Sequence, residues 1–374
     1  MPVLTNAKLV LPGEVITGHI AIEDDAIHAI GEGDAAGIDM EGDTLIPGLI
    51  ELHTDHLEVH VRPRPKVEWN MMAAIQAHDV QIAGSGITTV LDALRIGLGQ
   101  DGGSTSEDSR RIADAILTAQ RGDRLRAEHR LHLRCEVSEP LVRQGFHLFD
   151  DVDEVDVVSL MDHSPGQRQF RSLAAYRAYF DPDATDESFE ARVAVAQARS
   201  AEWASPNRDA IASAARLRGA VVASHDDATE AHVEEALENG VTLAEFPTTE
   251  EAAARSRAHG MTVLMGAPNL VRGSSHSGNV SASALADAGA LDILSSDYVP
   301  FSLIQGAFAL SERAGWSLPR AIATVTQTPA DAINLCDRGR LMPGKRADIV
   351  RVHRKNPGDV PVVREVFRAG RRVV

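Results

Sequence analysis

His53-Thr54-Asp55 places an imidazole and a carboxylate two residues apart, directly after the apolar run Leu45-Ile46-Pro47-Gly48-Leu49-Ile50. Alternate residues of a strand point to one side. The pair could therefore reach one cation where a buried strand opens into a loop, and both donor types suit a divalent transition metal. The competing reading is a satisfied strand end, with Asp55 starting a helix.

Polar residues recur at the ends of later apolar runs: Asp92 and Arg95, Arg134 and Glu136, Asp162 and His163, then His225, Asp226 and Asp227, then Glu245, Asn269 and Arg272, and Asp297. Each alone is weak, because a lone histidine is more often a hydrogen-bonded structural group. Together they outline one catalytic face. Arginines crowd the same places, at Arg62, Arg64, Arg95, Arg134, Arg168, Arg171 and Arg272. A guanidinium presents a planar fork of donors that matches phosphate oxygens. His276 and Ser277 sit in a polar, glycine-containing loop that could also touch phosphate. Hydrolysis of a phosphoanhydride needs these parts. A metal acidifies water to roughly pKa 7, and cations neutralise the phosphoryl oxygens and the leaving group. Glu136 could bridge two cations or simply pair with Arg134. His56 and His60 are candidates to support the ligands from behind.

The elements that must position these residues alternate. Strand candidates cover 45–52, 87–93, 131–137, 155–161, 220–224, 241–246, 262–266 and 291–296, with Ala-rich segments of helical period between most of them. One such segment ends at Asn239-Gly240, a helix stop. Eight strands alternating with helices predict an α/β fold, a (β/α)₈ TIM barrel, whose catalytic groups belong just after the strands. Short strands at both chain ends predict a small β-sandwich domain built from residues 1–46 plus 337–374, leaving 47–336 as the barrel. An excursion over about 164–219, basic at its start, reads as a lid or as a helical decoration.

The chain has 374 residues and a formal net charge of −17. That charge argues against nucleic-acid or anionic-membrane binding, but a local cationic pocket can still take an anionic small molecule. Cys135 and Cys336 form no CxxC pair, and the first residues lack a basic-then-apolar leader. A reducing cytoplasm is the simplest setting. No apolar stretch approaches a membrane span, and homo-oligomerisation is left open.

These residues resemble the amidohydrolase superfamily. The return Thr328-Pro329-Ala330-Asp331-Ala332, then 339–350 with Asp348, is similar to its barrel-to-sandwich connection, which is structural. A closer resemblance is to the diphosphatase family of the carbon–phosphorus lyase pathway. It is carried by residues 51–55 with Arg62-Pro63-Arg64-Pro65, and by 92–95, 132–137, 161–170, 224–229, 266–273 and 295–300. The resemblance implies hydrolysis of a ribose 1-methylphosphonate 5-triphosphate to the 5-phosphate plus pyrophosphate, so the partner is an anionic phosphorylated ribose. It implies one or two divalent metal ions, zinc first, with manganese, iron or nickel as alternatives. The implied ligands are His53, Asp55, Glu136, His163, His225 and Asp297, with Glu245 as an alternative. Asp297 is also the implied general base. Arg62, Arg64, Arg95, Arg134, Arg168, Arg272 and His276 are the implied substrate contacts. One departure is His-x-Asp in place of the superfamily's His-x-His. Another is strand position. On the count above, Glu245 takes the sixth-strand place where an imidazole is expected, whereas a missed strand would make His163 and His225 the imidazole pair. The superfamily's cyclic amidases and deaminases form the alternative reading.

Overall fold

The computed structural model describes residues 1–97, 105–170, 172–180, 182–275 and 278–374. The chain begins with β1 (Val3–Val10), β2 (Val15–Glu23), β3 (Ala26–Glu32), β4 (Ile38–Asp39) and β5 (Thr44–Pro47). The next eight strands are β6 (Leu49–Thr54), β7 (Ile87–Ile96), β8 (Glu128–Glu136), β9 (Val155–Met161), β10 (Val221–His225), β11 (Leu243–Glu245), β12 (Thr262–Gly266) and β13 (Ile293–Ser295). The chain ends with β14 (Ile349–His353), β15 (Val362–Arg368) and β16 (Arg371–Arg372).

Strands β6 to β13 pair in sequence order, all parallel, with helices between them. This is the (β/α)₈ barrel, and each of the eight predicted strands has its counterpart. The terminal strands form a second sheet in the order β16-β15-β14-β5-β1-β2-β3, with β4 beside β1. It encloses its own core, including Leu4, Leu9, Ile20, Ile27, Leu45, Ile349 and Phe367. The two chain ends therefore build one small β domain, joined as a single hydrogen-bonded sheet.

The predicted first strand, 45–52, is two strands. Residues 44–47 belong to the terminal sheet and 49–54 to the barrel. Gly48 is the break, because a Cβ there would lie 2.2 Å from Thr88 Oγ1 and 2.8 Å from Asp348 Cβ. Only glycine lets the backbone pass this close. Asp348 accepts bonds from the Arg346 guanidinium and the Ala369 amide, so it is structural, as read from the sequence.

Ion pairs around the buried Asp43–Arg351 pair tie the chain ends together. Asp43 accepts from Arg351 Nε at 2.6 Å, His353 Nδ1 at 2.7 Å and Arg364 Nη1 at 3.0 Å. Removing one partner of a buried pair strands the other charges. Asp43→Ala is expected to cost about 3 kcal/mol of stability, read as a lowered denaturant midpoint in an otherwise folded protein.

The barrel closes between β13 and β6 largely through side chains. Glu51, fully buried, accepts from the His53 amide (2.7 Å), from Ser295 Oγ (2.7 Å) and from the Ser296 amide. Ser295 Oγ also lies 2.6 Å from the His53 carbonyl, and Thr54 Oγ1 donates to the Asp297 carbonyl at 2.6 Å. Burial pushes the Glu51 carboxyl up, opposed by these bonds.

The excursion after β9 holds a 3₁₀ turn (Arg168–Phe170), a helix (Leu173–Phe180) and a 32-residue helix (Asp186–Leu217). The far half of the long helix is the barrel's own layer, with Ile211, Ala212 and Ala215 buried and Asn207 Nδ2 donating to the Val137 and Glu139 carbonyls. Among the described residues no helix is long and apolar enough to cross a membrane.

Candidate functional site

At the C-terminal ends of the barrel strands, a cavity of about 520 Å³ is lined by His53, Asp55, Arg95, Arg134, His225, Asp226, Arg272 and Asp297, among others. Strand ends and the loops that follow them bring together residues up to 245 positions apart in sequence. This is where a parallel barrel presents its chemistry.

Glu245, at the end of β11 and almost fully buried, organises the floor. Its Oε1 lies 2.9 Å from His53 Nδ1 and its Oε2 lies 3.2 Å from His225 Nδ1. Burial alone would raise this carboxyl, but the histidines around it hold it well below the ordinary value. An ionised carboxylate only accepts hydrogen bonds. Both imidazoles therefore donate to it from Nδ1, which leaves Nε2 turned away from the carboxylate. Burial lowers His225 well below its usual value, which keeps the ring neutral. The two rings stack with centroids 5.7 Å apart, and the Phe246 edge packs against both. Ser159 Oγ also donates to Glu245, at 2.5 Å, and bonds His132.

Glu136 does the same for His163. Its Oε2 lies 2.6 Å from His163 Nδ1, while Oε1 accepts from the His163 amide (3.0 Å) and Ser138 Oγ (2.9 Å). Carboxylates that fix ring tautomers in this way are the usual outer support of imidazole metal ligands. Among the described residues, donor atoms of His53, His225 and Glu245 fall within 4.8 Å of one another, as do those of His163, His225 and Asp226.

Asp226 completes this cluster. Its Oδ2 is buried without a hydrogen-bond partner and lies 3.5 Å from His225 Nε2. Burial raises its carboxyl to about 7. An orphaned carboxylate oxygen beside imidazole nitrogens is a costly arrangement for an empty pocket and a suitable one for a cation. The donor set thus fits a divalent metal. In the sequence Asp226 is only one of three consecutive polar residues after a strand, with nothing to separate it from Asp227.

Two of the predicted residues are turned toward arginine or carboxylate partners. Asp55 lines the cavity with His53 but is not on the strand that carries it. Strand β6 ends at Thr54, where the Thr54–Asp297 bond finishes the ladder, so the two-residue alternation stops one position short. The Asp55 carboxylate instead lies 3.3 Å from Arg134 Nη1 and 3.7 Å from Arg95 Nη2. Arg168 does not reach the cavity. Its buried guanidinium pairs with Asp227 and Glu235 and donates to the His225 carbonyl at 3.3 Å. It braces the loop after β10.

The remaining predicted residues are spread more widely. Arg95, Arg134 and Arg272 line the cavity. Arg62 is exposed and lines a neighbouring cavity of about 620 Å³, which shares Asp55 and Arg95 with the first. Arg64 is exposed in a turn bridged to Val67 and lines neither cavity. Arg171, His276 and Ser277 lie outside the described residues. Asp297 follows β13 with φ 54°, a left-handed conformation that turns the chain at the cavity rim.

An amidohydrolase family model matches residues 64–374. The chain is 48% identical over 378 residues to alpha-D-ribose 1-methylphosphonate 5-triphosphate diphosphatase of Escherichia coli (strain K12), covering 99% of this chain and all of that protein. Similar solved structures include 5-methylcytosine deaminase from Klebsiella pneumoniae (TM-score 0.65, 16% identity, 100% of this chain and 98% of that one). D-hydantoinase from Bacillus sp. AR9 is also similar (TM-score 0.63, 15% identity, 100% and 95%). At these identities the two structures share the fold alone.

Proposed function

Because this chain belongs to the amidohydrolase family, we propose from its full-length diphosphatase relative that it hydrolyses alpha-D-ribose 1-methylphosphonate 5-triphosphate to the 5-phosphate and pyrophosphate. The relative carries the choice of substrate. The cavity supports it, since Arg95, Arg134 and Arg272 set three guanidinium groups around the histidine–aspartate cluster of a chain whose overall charge is −17. A guanidinium fork matches phosphate oxygens, and a neutral amide has no use for three of them.

The ring nitrogens left open on His53, His163 and His225, with the Asp226 carboxylate, would hold one or two divalent ions. Zinc is the first choice on donor type. A bound ion there supplies Lewis-acid charge and brings water toward a pKa of about 7. Glu245 and Glu136 act as positioning residues that lock the ring tautomers. Asp297 takes the proton of the attacking water. The water oxygen bonds to phosphorus as the anhydride bridge between the α and β phosphates breaks. The electron pair leaves with pyrophosphate, whose charge the arginines stabilise. Asp55 holds Arg134 and Arg95 in place from the opposite side. The unpaired Cys135 and Cys336 suit a cytoplasmic setting, and the acidic surface disfavours nucleic acid as a partner.

Phosphorus NMR on purified protein tests the reading. Pyrophosphate and the ribose 5-phosphate product are expected to accumulate from the triphosphate. Chelation should abolish the reaction and added divalent metal should restore it. Ammonia or carboxylate release from cyclic amides or aminated heterocycles, with no pyrophosphate formed, would move the chain to the amidase or deaminase reading.

A further inference from the structure

A second group of imidazoles lies outside the cavity that holds Asp297. His56 follows β6, His60 sits in the short helix Glu58–Val61, and His78 sits in the helix Met71–Gly84. One donor atom from each lies within 4.8 Å of the others. His56 and His78 are buried, with their Nδ1 atoms 3.1 Å apart. The His56 and His60 rings meet edge to face at 4.9 Å.

We propose that His56, His60 and His78 form a second divalent-metal site, for zinc or a similar imidazole-binding ion, separate from the candidate catalytic centre. Three observations carry it. First, the Asp92 Oδ1 atom lies 2.9 Å from His78 Nε2. Asp92 is itself clamped by His129 Nδ1 on its other oxygen at 2.7 Å, and His129 Nε2 lies 3.4 Å from Asp79. A carboxylate held ionised in this way can only accept, so His78 donates to it from Nε2 and turns Nδ1 toward His56. Second, tetrahedral zinc with bonds of about 2.0–2.1 Å places two ligand nitrogens about 3.3 Å apart, close to the separation seen here. Third, His60 Nε2 is buried and has no hydrogen-bond partner. A hydrogen bond between His56 and His78 would satisfy those two rings and leave His60 stranded, whereas an ion satisfies all three.

A cavity of about 620 Å³ runs beside the cluster, lined by the neighbouring Leu57, Val61 and Asp92. An ion here ties the 56–61 segment to the helix Met71–Gly84 and, through Asp92, to β7. That segment adjoins Asp55 and Arg62, so the site acts as a clamp on the rim of the substrate cavities.

The test is metal content of the full-length protein, stripped with chelator, reloaded with zinc and desalted. His60→Ala should bind one zinc fewer per chain than the unmodified protein. The same loss of one should appear in a His225→Ala background, which itself keeps at least one zinc. The zinc-dependent rise in Tm should shrink in His60→Ala. His60→Gln, which retains a polar side chain, guards against a packing defect and should lose the same single equivalent. Equal zinc in the unmodified protein and both His60 variants, or loss of all zinc in His225→Ala alone, would overturn the second site. Neither result depends on turnover of the triphosphate.

Discussion

Glu245→Gln is expected to lower diphosphatase kcat/KM by about 10²–10⁴-fold in a protein that still folds. The amide is nearly isosteric but offers one acceptor oxygen and one NH₂ donor. Glu245 faces two ring N–H groups, at 2.9 Å from His53 and 3.2 Å from His225. One imidazole must then flip its proton to Nε2, the nitrogen meant for an ion. Turning a catalytic imidazole to the wrong tautomer while keeping geometry costs about 10⁴ in a serine-protease triad, and loss of an outer carboxylate typically costs about 10–100-fold in metal affinity. Metal binding should therefore weaken together with activity. If Glu245→Gln keeps full activity and unchanged metal affinity, the carboxylate does not set the tautomers.

Asp297→Asn is expected to lower kcat by about 10²–10⁴-fold, the range for removal of a general acid–base group, with KM little changed. Asparagine accepts the left-handed backbone found at this position, where φ is 54°. The Thr54 bond goes to the Asp297 backbone carbonyl and survives the change. The substitution thus removes the proton acceptor without disturbing the barrel seam. Steady-state kinetics with a malachite-green or coupled pyrophosphate readout would separate this outcome from a binding defect, in which KM rises and kcat holds.

Much of the fold was legible from residue order. Apolar runs of strand length, separated by helical periods and glycine or asparagine stops, located all eight barrel strands, because burial on both faces forces such runs. The polar residues at their ends located the cavity for the same reason, since a buried strand has no other place to carry them. The domain exchange at Gly48 was not legible. The apolar pattern runs unbroken from 45 to 50, and only the approach of Thr88 and Asp348 shows why the chain must change sheets there. Spacing did not foretell that Asp55 turns to Arg134 and Arg95, because the alternation rule holds only within a strand, and β6 ends at Thr54. Arg168 lies among basic residues in sequence but turns inward to Asp227 and Glu235, 59 and 67 positions away.

The sequence by itself determined that a parallel barrel would carry imidazoles, carboxylates and arginines on one face, since residue type and period are local properties. Tertiary structure decided which carboxylates orient rings, which pair with arginines, and which stand open to a cation. Glu245 and His53 are 192 positions apart, yet one hydrogen bond between them sets which ring nitrogen faces the cavity. Such a choice depends on contacts across the closed barrel, and no spacing along the chain encodes it.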